Sequence, residues 1–325
     1  MKLVVTGAAG FIGSHLCERL VIQEHKVIGI DSFNDFYSRK IKENNINILG
    51  NNKNFDFIEG DINKLNLTLI LKETEAVFHL AAQAGVRSSW GESFTGYTRD
   101  NIDATQKLLE SAKKATLKKF IYASSSSVYG SCPELPMKET SPCLPYSPYG
   151  VTKLAAEHLC LLYYKNYRLP CVSLRFFTVY GPRQRPDMAF HKFLKAACLD
   201  KPIQIYGDGN QTRDFTYISD IVDANVAAFY QGIPGEIYNV GGGEQKKLND
   251  VLRIIEKVTG KNLNIQKESR QEGDVPHTLA SIEKARSELS YKPHFSLESG
   301  LRAQWHWIQQ IYSPEIEIQN MREKI

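Results

Sequence analysis

Tyr149 and Lys153 stand four residues apart in Tyr149-Gly150-Val151-Thr152-Lys153, a spacing that puts phenol and ammonium on one face at a helix start. A tyrosine titrates near 10 in water. A neighbouring positive charge stabilises the phenolate and brings it towards use as a general base. Upstream, Ser124-Ser125-Ser126-Ser127-Val128-Tyr129-Gly130 directly follows the run Phe120–Ala123. If that run is a strand, its carboxyl end presents hydroxyls, and Ser125 can relay or orient a proton for Tyr149. The chemistry within reach is proton removal from a hydroxyl group.

A second motif supplies a reason to remove it. Gly7-Ala8-Ala9-Gly10-Phe11-Ile12-Gly13 follows the strand-like Leu3–Val5 and opens a helical pattern. Glycines there let the backbone approach a pyrophosphate, and the helix N-terminus offers N–H groups and a positive dipole. The spacing G-x-x-G-x-x-G departs from the commoner G-x-G-x-x-G. Asp31 ends the next strand-like run, where a carboxylate accepts hydrogen bonds from a ribose diol. It would repel a 2′-phosphate, and Ser32-Phe33-Asn34 brings no arginine to welcome one. NAD is therefore expected rather than NADP. Asp61 and Ile62 follow a third run and suit an adenine edge, while Ser124 falls at the nicotinamide end.

Short apolar runs at Leu3–Val5, Lys26–Ile30, Phe55–Glu59, Ala76–Leu80, Phe120–Ala123 and Val172–Arg175 alternate with helical patterns such as Ile102–Lys114. This alternation predicts an α/β fold with a doubly wound parallel sheet of the Rossmann type, whose ligand site lies at the strands' carboxyl ends. After Gly181 the rhythm loosens around further strands near Ile203–Tyr206 and Ile237–Val240. The expected division is a dinucleotide-binding domain over 1–181, with 211–243 returning to it. A smaller, discontinuous α/β substrate domain would use 182–210 and 244–312, leaving a polar tail at 313–325.

A net charge of +4 is too small and dispersed to indicate nucleic-acid binding. Six scattered cysteines, without any C-x-x-C pair, read as reduced thiols, and no metal site is expected. The apolar start Met1-Lys2-Leu3-Val4-Val5 belongs to the strand–turn–helix pattern rather than to a leader. No later stretch reaches the roughly 18 apolar residues of a membrane span. A cytoplasmic enzyme without a membrane partner is expected.

With His79-Leu80-Ala81-Ala82, Arg175-Phe176-Phe177-Thr178-Val179-Tyr180-Gly181-Pro182 and Arg213-Asp214-Phe215-Thr216-Tyr217-Ile218-Ser219-Asp220 added, the chain resembles the extended short-chain dehydrogenase/reductase family of nucleotide-sugar epimerases, dehydratases and decarboxylases. The resemblance runs from Lys2 to about Leu301. It implies Ser125, Tyr149 and Lys153 as the catalytic trio and places Leu80, Ala81 and Ala82 against the cofactor. It implies that Arg213 and the stretch Arg270–Asp274 hold a nucleotide diphosphate, although Arg270 precedes Gly273 by three residues where relatives often show two. It also implies a homodimer through the helices around Ile102–Lys114 and Tyr149–Tyr167.

Within that family, dehydratases carry Asp-Glu where this chain has Ser126-Ser127, decarboxylases keep Glu at the Ser127 position, and many 4-epimerases have Asn at Thr178. The Thr178 variant, Gln83-Ala84-Gly85-Val86-Arg87 and Arg185-Pro186-Asp187-Met188-Ala189 are similar to the uronate 4-epimerases. The resemblance thus implies UDP-glucuronate as substrate, with Arg185, Thr178, Ser126 and Ser127 serving its carboxylate. Arg87 is open between a ligand contact and structural pairing. A neutral UDP-hexose 4-epimerase, a UDP-glucuronate decarboxylase and a catalytically silent NAD- or RNA-binding protein are the alternatives.

Overall fold

The computed structural model describes residues 1–269, 271 and 273–312. Its centre is a seven-stranded parallel sheet. The strands are β1 (Lys2–Thr6), β2 (Lys26–Asp31), β3 (Phe55–Glu59), β4 (Ala76–His79), β5 (Lys119–Ser125), β6 (Cys171–Phe176) and β10 (Ile237–Val240), in the order β10-β6-β5-β4-β1-β2-β3. Strands covered on both faces read as continuous apolar runs, and β4 and β6 are buried at every residue. Successive residues point to opposite faces, so Leu3 and Val5 join one hydrophobic core and Val4 the other. The first core takes helices Phe11–Ile22 and Ile218–Gln231, and the second takes Ala104–Ala112 and Pro148–Tyr167.

The six strands expected in the first half form, each within about two residues of its anticipated ends. The expected strand at Ile237–Val240 completes one edge of the main sheet beside β6. Among the described residues, the strand at Ile203–Tyr206 (β8) pairs with β12 (Ile265–Glu268) in a separate two-stranded sheet. A third sheet joins β7 (Thr178–Tyr180), β9 (Thr212–Tyr217) and β11 (Gln245–Lys247). The expected tail, 313–325, lies outside the described residues. So does Arg270.

Parallel pairing brings the carboxyl ends of β1, β2, β4, β5 and β6 to one rim. Thr6 aligns with Ile30 and His79, and Ser125 with Phe176. His79 is a core residue of that rim. Its ring sits between the Thr6 and Thr105 hydroxyls at 2.8 and 2.9 Å, and burial pushes its pKa down to about 3, so it is neutral.

Beneath the rim, Arg175 of β6 donates to Glu157 of helix Pro148–Tyr167 at 2.9 and 2.6 Å, both side chains being almost wholly buried. Removing one member of a buried pair strands the other charge in a dry interior, which costs about 3–5 kcal/mol. Glu157→Ala is therefore expected to lower the unfolding free energy by about that amount in urea titration. A loss no larger than a surface pair's would contradict this account.

Candidate active site

Ser147 and Pro148 decide where the helix carrying Tyr149 begins. The Ser147 hydroxyl accepts from the Gly150 amide at 3.1 Å, and Pro148 occupies the first turn, where its missing N–H is not needed. Gly150 then lets this turn press against the serine loop, since a Cβ there would lie 2.5 Å from the Ser127 carbonyl oxygen. Tyr149 is thereby brought close enough to Ser125 for that side chain to draw its pKa down. Tyr97 meets the Tyr149 ring edge-on at 6.2 Å. The buried Asn101 donates to the Thr152 hydroxyl at 2.9 Å, clamping the next helix position.

The electrostatics differ in detail from the expectation. Burial raises the Tyr149 phenol above its usual range, while Arg185 and the Ser125 side chain pull it down. Arg185, rather than Lys153, is the leading cation acting on the phenol. The Lys153 ammonium lies 4.5 Å over the Tyr122 ring, and burial lowers its pKa to about 7. Ser124 lines the cleft, but its hydroxyl donates to Glu157 at 2.6 Å instead of facing a ligand.

A cleft runs from Tyr149 and Lys153 along the rim and past the glycine turn to Asp31 and Asp61. It holds about 1180 Å³ of space, counting that open to solvent. Gly7, Gly10, Phe11, Ile12, Gly13, Asp31, Asp61, Ile62, Leu80, Ala81, Ala82, Ser124, Tyr149 and Lys153 all line it. Every residue expected at a dinucleotide is thus in one wall.

The wall fits a dinucleotide. A Cβ on Gly13 would lie 2.0 Å from the Gly7 carbonyl oxygen, so the turn closes only with glycine. No side chain caps helix Phe11–Ile22 at Gly10, which leaves its first amides for phosphate oxygens. Asp31 accepts from the Ala9 and Phe33 amides at 3.1 and 2.9 Å, and each carboxylate oxygen retains capacity for a ribose hydroxyl. Sequence reasoning missed Lys42, a buried cation beside Asp31 that donates to the carbonyl and side-chain oxygens of Asn34 at 2.6 Å each. It also missed Tyr97 and Asn101. Nothing in a polar helix such as Arg39–Asn47 signals that one lysine turns inward.

Arg185 enters the same cleft near Tyr149 and is held by Asp187 through two bonds of 2.9 and 3.0 Å. Ser126 and Ser127 form a short turn after Ser125, and the Ser127 amide donates to the Ser125 hydroxyl at 3.1 Å. Thr178 begins β7 and does not line the cleft. Arg87 pairs with Asp274 at 2.6 Å and stacks 4.2 Å over Tyr206. Of the two options for Arg87, pairing is the one seen here. Arg213 donates to the Thr212 and Pro276 carbonyls at 2.8 and 3.1 Å. Among the described residues, no cluster of three His, Cys, Asp or Glu side chains is arranged to hold a metal. No described helix is long and apolar enough to cross a membrane.

The buried Lys153 has a measurable signature. Its folded pKa of about 7 lies below the ordinary 10.5, so between those values the unfolded chain binds more protons and stability rises with pH. Lys153→Met should flatten that rise in denaturant titrations of cofactor-free protein. An unchanged slope would mean that the ammonium is not desolvated.

Comparison with known proteins bears on what such a cleft is for. The model of the GDP-mannose 4,6 dehydratase family matches residues 4–304. A crystal structure of UDP-glucuronic acid 4-epimerase from Bacillus cereus, in complex with UDP-glucuronic acid and NAD, is 48% identical, with a TM-score of 0.94 over 96% of this chain and 100% of that one. The UDP-glucuronate 4-epimerase of Thermodesulfobacterium geofontis is 39% identical over 94% of this chain and 95% of its own. A Bacillus subtilis protein, the uncharacterised UDP-glucose epimerase YtcB, is 44% identical over 97% of this chain and 100% of its own. A family match of this extent, on a fold and cleft of this kind, places the chain in the GDP-mannose 4,6 dehydratase family.

Proposed function

We propose that this chain is an NAD-dependent UDP-glucuronate 4-epimerase, an isomerase that interconverts UDP-glucuronate and UDP-galacturonate through a 4-keto sugar. The carrying observation is the meeting of Tyr149, Ser125 and Arg185 at one end of a dinucleotide-shaped cleft. The relatives named as UDP-glucuronate 4-epimerases support the substrate. When bound, NAD supplies the acceptor, and then the donor, of the hydride at the sugar's C4.

Tyr149, as the phenolate, takes the proton of the 4-hydroxyl, through or beside Ser125, and returns it after the ketone has presented its other face. Lys153, close to neutrality in its buried state, gains its proton readily as the phenolate forms. The ketone is β to the uronate carboxylate, so loss of CO₂ competes whenever that bond aligns with the carbonyl π system. Arg185, with Ser126 and Ser127 in the turn after Ser125, holds the carboxylate out of that alignment, which is positioning work; Thr178, outside the cleft lining, takes no part in this account. Arg87, Arg213, Arg270 and Asp274 are assigned to the diphosphate end. For Arg87, binding requires exchanging Asp274 for phosphate oxygens.

In this reading 1–181 with 211–243 carries the cofactor, and 182–210 with 244–312 covers the sugar nucleotide. A homodimer is proposed through helices Ala104–Ala112 and Pro148–Tyr167, and the exposed Val151, Leu162 and Tyr167 along the second helix support it. The six cysteines, none of them in a disulfide, suit the reducing cytoplasm.

A second reading, 4-epimerisation of a neutral UDP-hexose, is favoured by one observation. Asp187 already occupies Nε and Nη2 of Arg185, as it would if no carboxylate were to come. Incubation with UDP-glucuronate followed by NMR separates the cases: a uronate with an axial 4-hydroxyl is expected, whereas turnover of neutral UDP-hexoses alone supports the second reading. A pentose with released CO₂ would identify a decarboxylase. Tyr149→Phe should reduce turnover at least 100-fold, at the lower end of the range for a lost general base, with NAD still bound. Retained activity would remove Tyr149 from the mechanism.

A further inference from the structure

The loop from Gly181 to Asp187 carries Arg185, and it is held from behind by a helix more than a hundred residues further along the chain. Gln184, next to Arg185, is buried and uses both ends of its amide. Its Nε2 donates to the Val179 carbonyl at 3.0 Å. Its Oε1 accepts from the His191 amide at 2.9 Å and from Gln304 Nε2 at 2.8 Å. Gln304, fully buried on helix Leu297–Tyr312, uses its own Oε1 to accept from the Gly181 amide at 3.1 Å. The Gln184 carbonyl meets His191 Nδ1 at 2.7 Å.

Two features say that this support is needed. Gly181 and Arg183 both hold positive φ, at +139° and 64°, and a non-glycine residue stays in that region only where its surroundings impose it. A chain of buried amides is also satisfied in one arrangement alone, whereas an apolar pair would pack in several. Leucines here would fill the space without fixing the register of the loop.

We propose that Gln304 is a positioning residue for substrate selection, acting through Gln184 to aim Arg185 at the sugar carboxylate; this rests on the assignment of Arg185 made above. Gln304 touches neither sugar nor cofactor in this account. Its effect belongs to the charged substrate and disappears when Arg185 is absent.

The test is a double-mutant cycle with Gln304→Met made in wild type and in Arg185→Ala. The ratio of kcat/KM for UDP-glucuronate over UDP-glucose is the readout, together with the share of decarboxylated pentose. In wild type the ratio should fall about tenfold and the pentose share should rise, within the roughly 100-fold that a misplacement of 1 Å can cost. In Arg185→Ala the second substitution should leave the ratio unmoved. A loss shared equally by both substrates, or the same further drop without Arg185, overturns the proposal. If Gln304→Met does not fold, Gln304→Asn, which keeps both polar atoms but ends one carbon short, runs the same cycle with the same outcomes. A wild-type chain that converts UDP-glucose and ignores UDP-glucuronate overturns the functional assignment and this proposal together. One that converts both, with a ratio indifferent to position 304, overturns this proposal alone.

Discussion

Glu157 and Arg175 meet where the helix bearing Tyr149 and Lys153 lies on the strand beside Ser125, and the position of every reacting group follows from that contact. The pair is buried, so each charge is tolerated only because the other is present. Ser124 donates to the same carboxylate, and Tyr129 accepts from the arginine and donates to Asn239 on the neighbouring β10. Helix, β5, β6 and β10 are thus tied by one polar network beneath the rim. Lys153 and Tyr149 stand about one and two turns upstream of Glu157, so the network sets their height above the sheet.

The same burial that orders the site sets its acid–base character. Withdrawal from water pushes the Tyr149 phenol up and the Lys153 ammonium down. The positive charge of a bound nicotinamide then favours the phenolate against the burial that opposes it. The far side of the site is loosely committed by comparison. Arg87 and Arg185 each rest on an aspartate, Asp274 and Asp187, at 2.6 and 2.9 Å. An anionic ligand that takes the place of those partners releases their carboxylates, both of them partly exposed to water.

Much of this was legible in the sequence because it obeys local rules. Short apolar runs alternating with helical patterns pointed to the six strands, and glycine spacing to the dinucleotide wall. The i, i+4 spacing of Tyr149 and Lys153 gave the helix face. What escaped was contact between distant segments. Lys42 turns inward from a polar helix, Asn101 sits in a π-helical turn, and Gln304 reaches back to Gly181; none has a local signature. The bond from Ser124 to Glu157, 33 residues further along, has no local signature either. Arg270 falls outside the described residues, so its place beside Arg87 and Arg213 rests on sequence.

The central claim is that one phenol and one hydroxyl serve a reversible oxidation at C4 in which the hydrogen never leaves the protein. UDP-glucuronate deuterated at C4, turned over in ordinary water and followed by deuterium NMR, tests it directly. The account predicts that the deuterium stays on C4 of both epimers through many turnovers. Label washed out into solvent, or inversion with the label on another carbon, would contradict it.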